Sequence, residues 1–222
     1  MKKWISTLLI IVGAGLIAYQ FLPEILIKRQ VVKSGAVVEE ITEEQIVENN
    51  EREAVYDYTA IEDVSGRSAV SGVSQFEGEN IIGILMVDDL GINLPILKGV
   101  SDANLMAGAG TMVPDLKMGE GNYSLASHYM KDPSLLFGNL LNAEEGMQVR
   151  ITDKINVYEY EIYETVLVPE TAMYMLDHEQ ADERGKPIIS LMTCYYTSKN
   201  GQRFFALGEL VDTYPYRQKF TD

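Results

Sequence analysis

Three side chains in this sequence are of the types that acyl transfer by a thiol requires: Cys194, His128 and Arg203. A thiol supplies the nucleophile, an imidazole gives and takes protons, and a guanidinium offers fixed donors to the charge that develops on a carbonyl oxygen. Cys194 is the only cysteine in the chain, and His128 is one of two histidines. The other, His178, lies in the acidic segment Leu176-Asp177-His178-Glu179. Each of the three also has a plainer reading, as a buried core thiol, a hydrogen-bonded structural histidine and a rim charge. With 66 positions between His128 and Cys194, spacing alone does not choose between these readings.

The elements that must position them are strands. Pro187 to Thr193 is an apolar, β-leaning run that ends on Cys194, and Phe204 to Leu210 is a second run that begins directly after Arg203. Between them, Thr197-Ser198-Lys199-Asn200-Gly201 carries the Asn-Gly hairpin signal. Thiol and guanidinium are therefore expected at facing strand ends across a short loop. Tyr123 to Ser127 is a further apolar run, and His128 follows it.

Other strands are expected at Ile81–Val87 and Ile92–Leu97, joined by Asp88-Asp89-Leu90-Gly91, and at Met147–Thr152 and Asn156–Val168. In the last of these, Tyr158, Tyr160 and Ile162 alternate with Glu159 and Glu161. Asp102 is placed to cap a short helix through Ala107, and Asp132-Pro133-Ser134 to start another through Leu141. Glu170 to Lys186 reads as a long polar connection. Short strands without strand–helix alternation predict a mostly β fold, a closed or nearly closed barrel of antiparallel type with one or two short helices.

The chain has 222 residues and a formal net charge of −15, which argues against nucleic acid as a partner. Much of that charge is local, with ten acids against Arg52 between Glu39 and Asp63. Trp4 to Leu22 is free of charge and follows Lys2 and Lys3. It is long enough to span a membrane as an uncleaved signal anchor, with the body outside. Three parts are expected: 1–33, a membrane anchor and juxtamembrane segment; 34–74, an acidic, partly helical spacer; and 75–222, the barrel. A lone cysteine in an exported chain has no internal disulfide partner, so it is either inert or kept for reactivity.

Ser190-Leu191-Met192-Thr193-Cys194 closely resembles the Thr-Leu-x-Thr-Cys signature of sortases, the membrane-anchored cysteine transpeptidases of Gram-positive bacteria. Asn122-Tyr123-Ser124-Leu125-Ala126-Ser127-His128 resembles their histidine strand, and Arg203 with its run to Gly208-Glu209-Leu210 their arginine strand. The resemblance covers roughly residues 75 to 212 and implies an eight-stranded barrel. It implies that Cys194 attacks the Thr–Gly carbonyl of a Leu-Pro-x-Thr-Gly-type sorting signal, that His128 moves the protons, and that Arg203 holds substrate and oxyanion. Thr193 and Ala126 match positions beside the substrate. A secreted protein bearing the signal and a peptidoglycan-precursor amine are the implied partners, and no cofactor is expected.

Some sortases bind calcium, but here Asp115 to Glu120 carries Lys117 among few acids. Glu179 and Asp182 read as solvated, so no metal site is expected. An N-terminal anchor and no obvious aromatic lid motif before the barrel look class A-like. The alternatives are a pilus-polymerising, class C-like sortase and a non-enzymatic, membrane-tethered β-domain.

Overall fold

The computed structural model describes residues 2–65, 68–70, 72, 76 and 78–216. Eight strands close into one barrel in the order β1-β2-β3-β4-β7-β8-β6-β5. They are β1 (Ile81–Val87), β2 (Ile92–Leu97), β3 (Ala109–Thr111), β4 (Asn122–Ala126), β5 (Gln148–Thr152), β6 (Asn156–Pro169), β7 (Ile188–Cys194) and β8 (Gln202–Pro215). The β1–β2 and β7–β8 hairpins and the paired β5 and β6 fall where the apolar runs place them.

The barrel is not purely antiparallel, because β2 pairs β3 and β4 pairs β7 in parallel. The first parallel pair is bridged by the helix α3 (Asp102–Ala107), whose cap is Ser101 rather than Asp102: the Ser101 hydroxyl accepts from Asn104 N at 3.2 Å. The helix expected from Asp132 to Leu141 is absent. Leu136 sits at φ 50°, which an α-helix does not tolerate, so turns and a 3-10 turn at Leu140–Asn142 carry Leu135, Leu136, Phe137 and Leu140 into the core. The 170–186 connection holds a 3-10 turn (Met173–Leu176) and the short helix α4 (Glu179–Arg184).

Every residue of β1 is buried, which explains its unbroken apolar run: both of its faces are covered. Leu85 and Val87 point into the barrel core with Leu125, Ile151 and Leu191. Ile84 and Met86 lie instead with Val38, Ile41 and Ile46 of the N-terminal arm. A register shift at Gly83 re-phases the strand, and a Cβ there would lie 2.6 Å from the Thr152 carbonyl oxygen, so only glycine fits.

The arm comprises α1 (Lys2–Glu40) and α2 (Glu43–Glu51), the latter starting with a capping box made by Thr42 and Gln45. The stretch expected as an acidic, partly helical spacer is packed on the barrel, because its sparse apolar residues fall on one helical face. Ile27, Gln30, Ser34 and Val38 recur at helical spacing and are buried, as are Ile46 and Asn49. Lys154 Nζ donates to the Val38 and Ile41 carbonyls at 2.7 Å each, closing the end of α1. Lys98 Nζ does the same for α2, at Asn50 (2.5 Å) and Arg52 (2.8 Å).

The N-terminal half of α1 is exposed and apolar on all the sides described, from Trp4 to Ile17. Among the described residues no single helix is long and apolar enough to cross a membrane. Thr7–Ile17 and Phe21–Glu40 meet that condition together, bent by 42°. Pro23 accounts for the bend: it has no N–H to donate, and its ring crowds the carbonyl of Tyr19, inside the break. Ser65 to Gly78, whose Ser and Gly content reads as a flexible boundary before the barrel, lies half outside the described residues.

Candidate active site

Cys194, the last residue of β7, and Arg203, the second of β8, are register partners on the antiparallel ladder. Histidine joins them through the parallel pairing of β4 with β7. Ala126 and Met192 are the last partners of that ladder, and Ser127 N continues it to the Met192 carbonyl at 3.3 Å. His128 lies two residues beyond Ala126, and Cys194 two beyond Met192. The period-2 alternation therefore brings imidazole and thiol side by side on one face, on strands about 4.8 Å apart. That face is the outside of the barrel, where Ala126, Met192, Cys194 and Phe205 form an apolar patch with Val168 and Leu176.

All three groups lie beneath the segment that follows α2. A 3-10 turn at Tyr58–Ala60 leads to Ile61, whose carbonyl oxygen accepts from Arg203 Nη2 at 3.2 Å and lies 3.9 Å from Cys194 Sγ. Arg203 divides its remaining donors between the Gln202 carbonyl (3.1 Å) and the Glu170 carboxylate (3.0 Å). His128 is hydrogen-bonded to the backbone of Glu62, and its Nε2 has no partner among the described residues. A buried ring nitrogen left unpaired carries a desolvation cost that an incoming amine or hydroxyl would relieve.

Burial governs the protonation states. It pushes the Cys194 thiol up, against the pull of Arg203, while Asp63, Glu170 and Glu62 push the same way as burial. Burial also holds His128 down to about 4, with only partial opposition from the Glu62 backbone and Asp63. In the covered site the pair is therefore a neutral thiol beside a neutral imidazole.

Thr193 and Ala126 are both fully buried. Strand alternation puts Thr193 on the opposite side of β7 from Cys194. Its hydroxyl donates to the Ser127 carbonyl at 2.9 Å, fastening the end of β7 to the residue before His128. Ala126 lies under the patch beside Met192. The second histidine is not in the cluster: His178 Nδ1 accepts from Asn122 N at 3.1 Å, at the far end of β4. Among the described residues no group of three or more His, Cys, Asp or Glu side chains gathers as a metal site would require.

The family described as the sortase domain matches residues 85–211. The chain belongs to the sortase family. Sortases are cysteine transpeptidases, and so is this one. It is 34% identical over 213 residues to a protein named sortase A from Listeria monocytogenes, covering 96% of this chain and 93% of the relative. A sortase A from Streptococcus agalactiae is 32% identical over 198 residues, covering 86% of this chain and 78% of the relative. The crystal structure of Listeria monocytogenes sortase A superposes with a TM-score of 0.58 at 37% identity, covering 63% of this chain and 93% of that one. These relatives agree with the class A-like reading.

What sequence reasoning missed in this sortase is the cover. No aromatic lid motif was expected, yet the groove is covered all the same, with the Ile61 backbone carbonyl oxygen over the thiol. Ala60-Ile61 is a two-residue apolar step in an acidic stretch, the one sequence sign of it. Glu170, the partner of the guanidinium, was also passed over, as one acid in a polar loop.

Proposed function

We propose that this sortase cleaves a Leu-Pro-x-Thr-Gly-type sorting signal between Thr and Gly and transfers the new carboxyl end to a cell-wall precursor amine. The observation that carries this reading is the placing of Cys194, His128 and Arg203 at three adjacent strand ends on one outer face. As a substrate carbonyl enters, the thiol proton passes to His128 and the thiolate attacks the Thr carbonyl carbon. The tetrahedral oxygen takes the place beside Arg203 that the Ile61 carbonyl occupies here, where the guanidinium donors are already aimed. His128 returns the proton to the departing glycine amine, leaving a thioester on Sγ. The acceptor amine attacks the thioester and gives a proton to His128, which passes it to the departing thiolate and restores the thiol.

Thr193 serves by holding Ser127, and so His128, against the cysteine strand, and Ala126 keeps the groove floor shallow for substrate. Residues 1–33 act as the membrane anchor, 34–74 as the connecting arm and 75–222 as the catalytic barrel, which works outside the cell membrane. The uncovered apolar half of α1 behind Lys2 and Lys3 supports the anchor.

Mass spectrometry of products from a sorting peptide and a panel of amines tests the reading. Cys194→Ala abolishes cleavage, and Arg203→Ala lowers kcat/KM by about 10²–10³-fold. Turnover by Cys194→Ala at the wild-type rate would end the proposal. Preference for a lysine side-chain amine over a precursor amine would move the assignment to the pilus-polymerising class.

A further inference from the structure

The cover over the groove is held like a ligand. Its approach is guided by the barrel: Val100 N donates to the Val55 carbonyl at 2.8 Å, and Asp57 N to the Val100 carbonyl at 2.9 Å, a short parallel pairing at Tyr56. Gly99 makes room for it, since a Cβ there would stand 2.4 Å from the Val55 carbonyl oxygen. Asp57 then fixes the turn by accepting from Thr59 N (3.0 Å) and Thr59 Oγ1 (2.6 Å), and the Tyr58 hydroxyl donates to the Met112 carbonyl at 2.6 Å.

Past the turn, Ile61 is 6% exposed and packs among Met112, Val168, Met192 and Phe205. Its carbonyl oxygen lies between the thiol and the guanidinium, the two groups that a scissile carbonyl has to meet. Beyond it, Asp63 is latched to the β7–β8 loop. Its carboxylate accepts from Thr197 Oγ1 at 2.5 Å and Ser198 N at 2.7 Å, while Asp63 N donates to Ser198 Oγ at 3.1 Å.

We propose that residues 57–64 are an internal competitor for the peptide groove, with Ile61 as a stand-in for the residue that is cut and Asp63 as the latch that keeps it seated. The proposal rests on reading that groove as the peptide site. Ile61 is not cleaved because its carbonyl carbon is held back from the sulfur by the latch on one side and the Val100 pairing on the other. A substrate binds only to the fraction of molecules in which the strap has lifted, so its apparent affinity is lowered by that fraction.

The latch faces solvent, so opening it does not require unfolding the barrel. Losing one latch hydrogen bond raises the open fraction roughly fivefold, and losing the carboxylate raises it further.

The test uses the full-length chain and two readouts. The first is the rate of Cys194 alkylation by iodoacetamide, measured against pH up to its high-pH plateau. The second is peptide cleavage as KM and kcat. Thr197→Val removes one latch bond without changing charge, and Asp63→Ala removes the carboxylate. Asp63 also biases the thiol, but that influence moves the midpoint of the alkylation profile, whereas strap opening raises its plateau. The plateau is expected to rise roughly fivefold in Thr197→Val and more in Asp63→Ala, with KM falling by similar factors and kcat unchanged.

Plateau rates and KM equal to wild type in both variants, each melting as wild type does, would overturn the strap. A raised plateau with no cleavage of the sorting peptide by any variant would leave the strap standing and remove the substrate assignment instead.

Discussion

The two pieces that the acidic stretch contributes to the barrel surface differ in how they are held. The arm, α1 and α2, buries Ile27 against the main core and Val38, Ile41 and Ile46 in a second cluster with β1, and Lys98 and Lys154 close its helix ends. The strap over the catalytic groove buries little beyond Ala60 and Ile61 and is held by backbone carbonyls and one exposed carboxylate. Burial by area is costly to undo, and a handful of partly solvated hydrogen bonds is not. The same stretch thus supplies a fixed brace and, six residues after it, a part built to lift.

The sharpest way to break this contrast is at Ile46. Ile46→Asp places an unpaired carboxylate between α2 and β1 and is expected to cost more than about 4 kcal/mol, read by chemical denaturation. A loss under about 1 kcal/mol would mean the arm is no better seated than the strap.

Acid tests the strap next. The His128 imidazole is held at about 4 against an ordinary 6.5, so between these values the open or unfolded chain takes up a proton that the covered form refuses. Stability of the covered form is full above pH 6.5 and falls as pH drops through that window, by on the order of 3 kcal/mol at its lower end. The groups acting on the ring are the Glu62 backbone and the Asp63 carboxylate; Cys194 on the neighbouring strand is itself influenced by Arg203, Asp63, Glu170 and Glu62. Hydrogen exchange corrected for the intrinsic rate at each pH should show lower protection factors for residues 57–64 at pH 5 than at pH 7, with those of α2 unchanged. His128→Gln should remove that difference.

The smallest effects separate the two clamps. Lys154 takes φ 66° and is part-buried to reach the end of α1, so Lys154→Ala is expected to cost about 1–2 kcal/mol. Asp63→Ala, which frees the strap alone, should leave global stability within about 0.5 kcal/mol of wild type. Equal losses in the two variants, measured by urea midpoint, would erase the distinction.

Strands were legible where side chains declare them. Ile81–Val87 and Ile188–Cys194 are apolar runs closed by turn residues, and Gly201 at φ 64° makes the hairpin that Asn-Gly announces. β3 went unseen because Ala-Gly-Thr is three residues long with no pattern, and it takes its place through pairing with β2 and β4. The parallel register of β4 and β7 has no local signature either, so residue types suggested the trio but not its assembly.

Arg203 was readable as a charge at a strand start, and its division between Ile61 and Glu170 was not. The strap was the hardest to read, since its decisive atom is the Ile61 carbonyl oxygen, and every residue carries a carbonyl. The arm was misjudged for a related reason: two or three aliphatics per helix look too few to dock until a buried apolar strand such as β1 lies beneath them.

The parallel pairing of β4 with β7 also bears on how the molecule comes into being. Cys194 and His128 meet only when segments more than sixty positions apart zip together, after β5, β6 and the long connection have been drawn into place. Contacts of such high order form late and slowly, because loop-closure entropy must be met before any ladder bond rewards it. Until that ladder closes, the sulfur is an ordinary thiol with no imidazole beside it, so catalytic competence depends on one long-range pairing rather than on any local element.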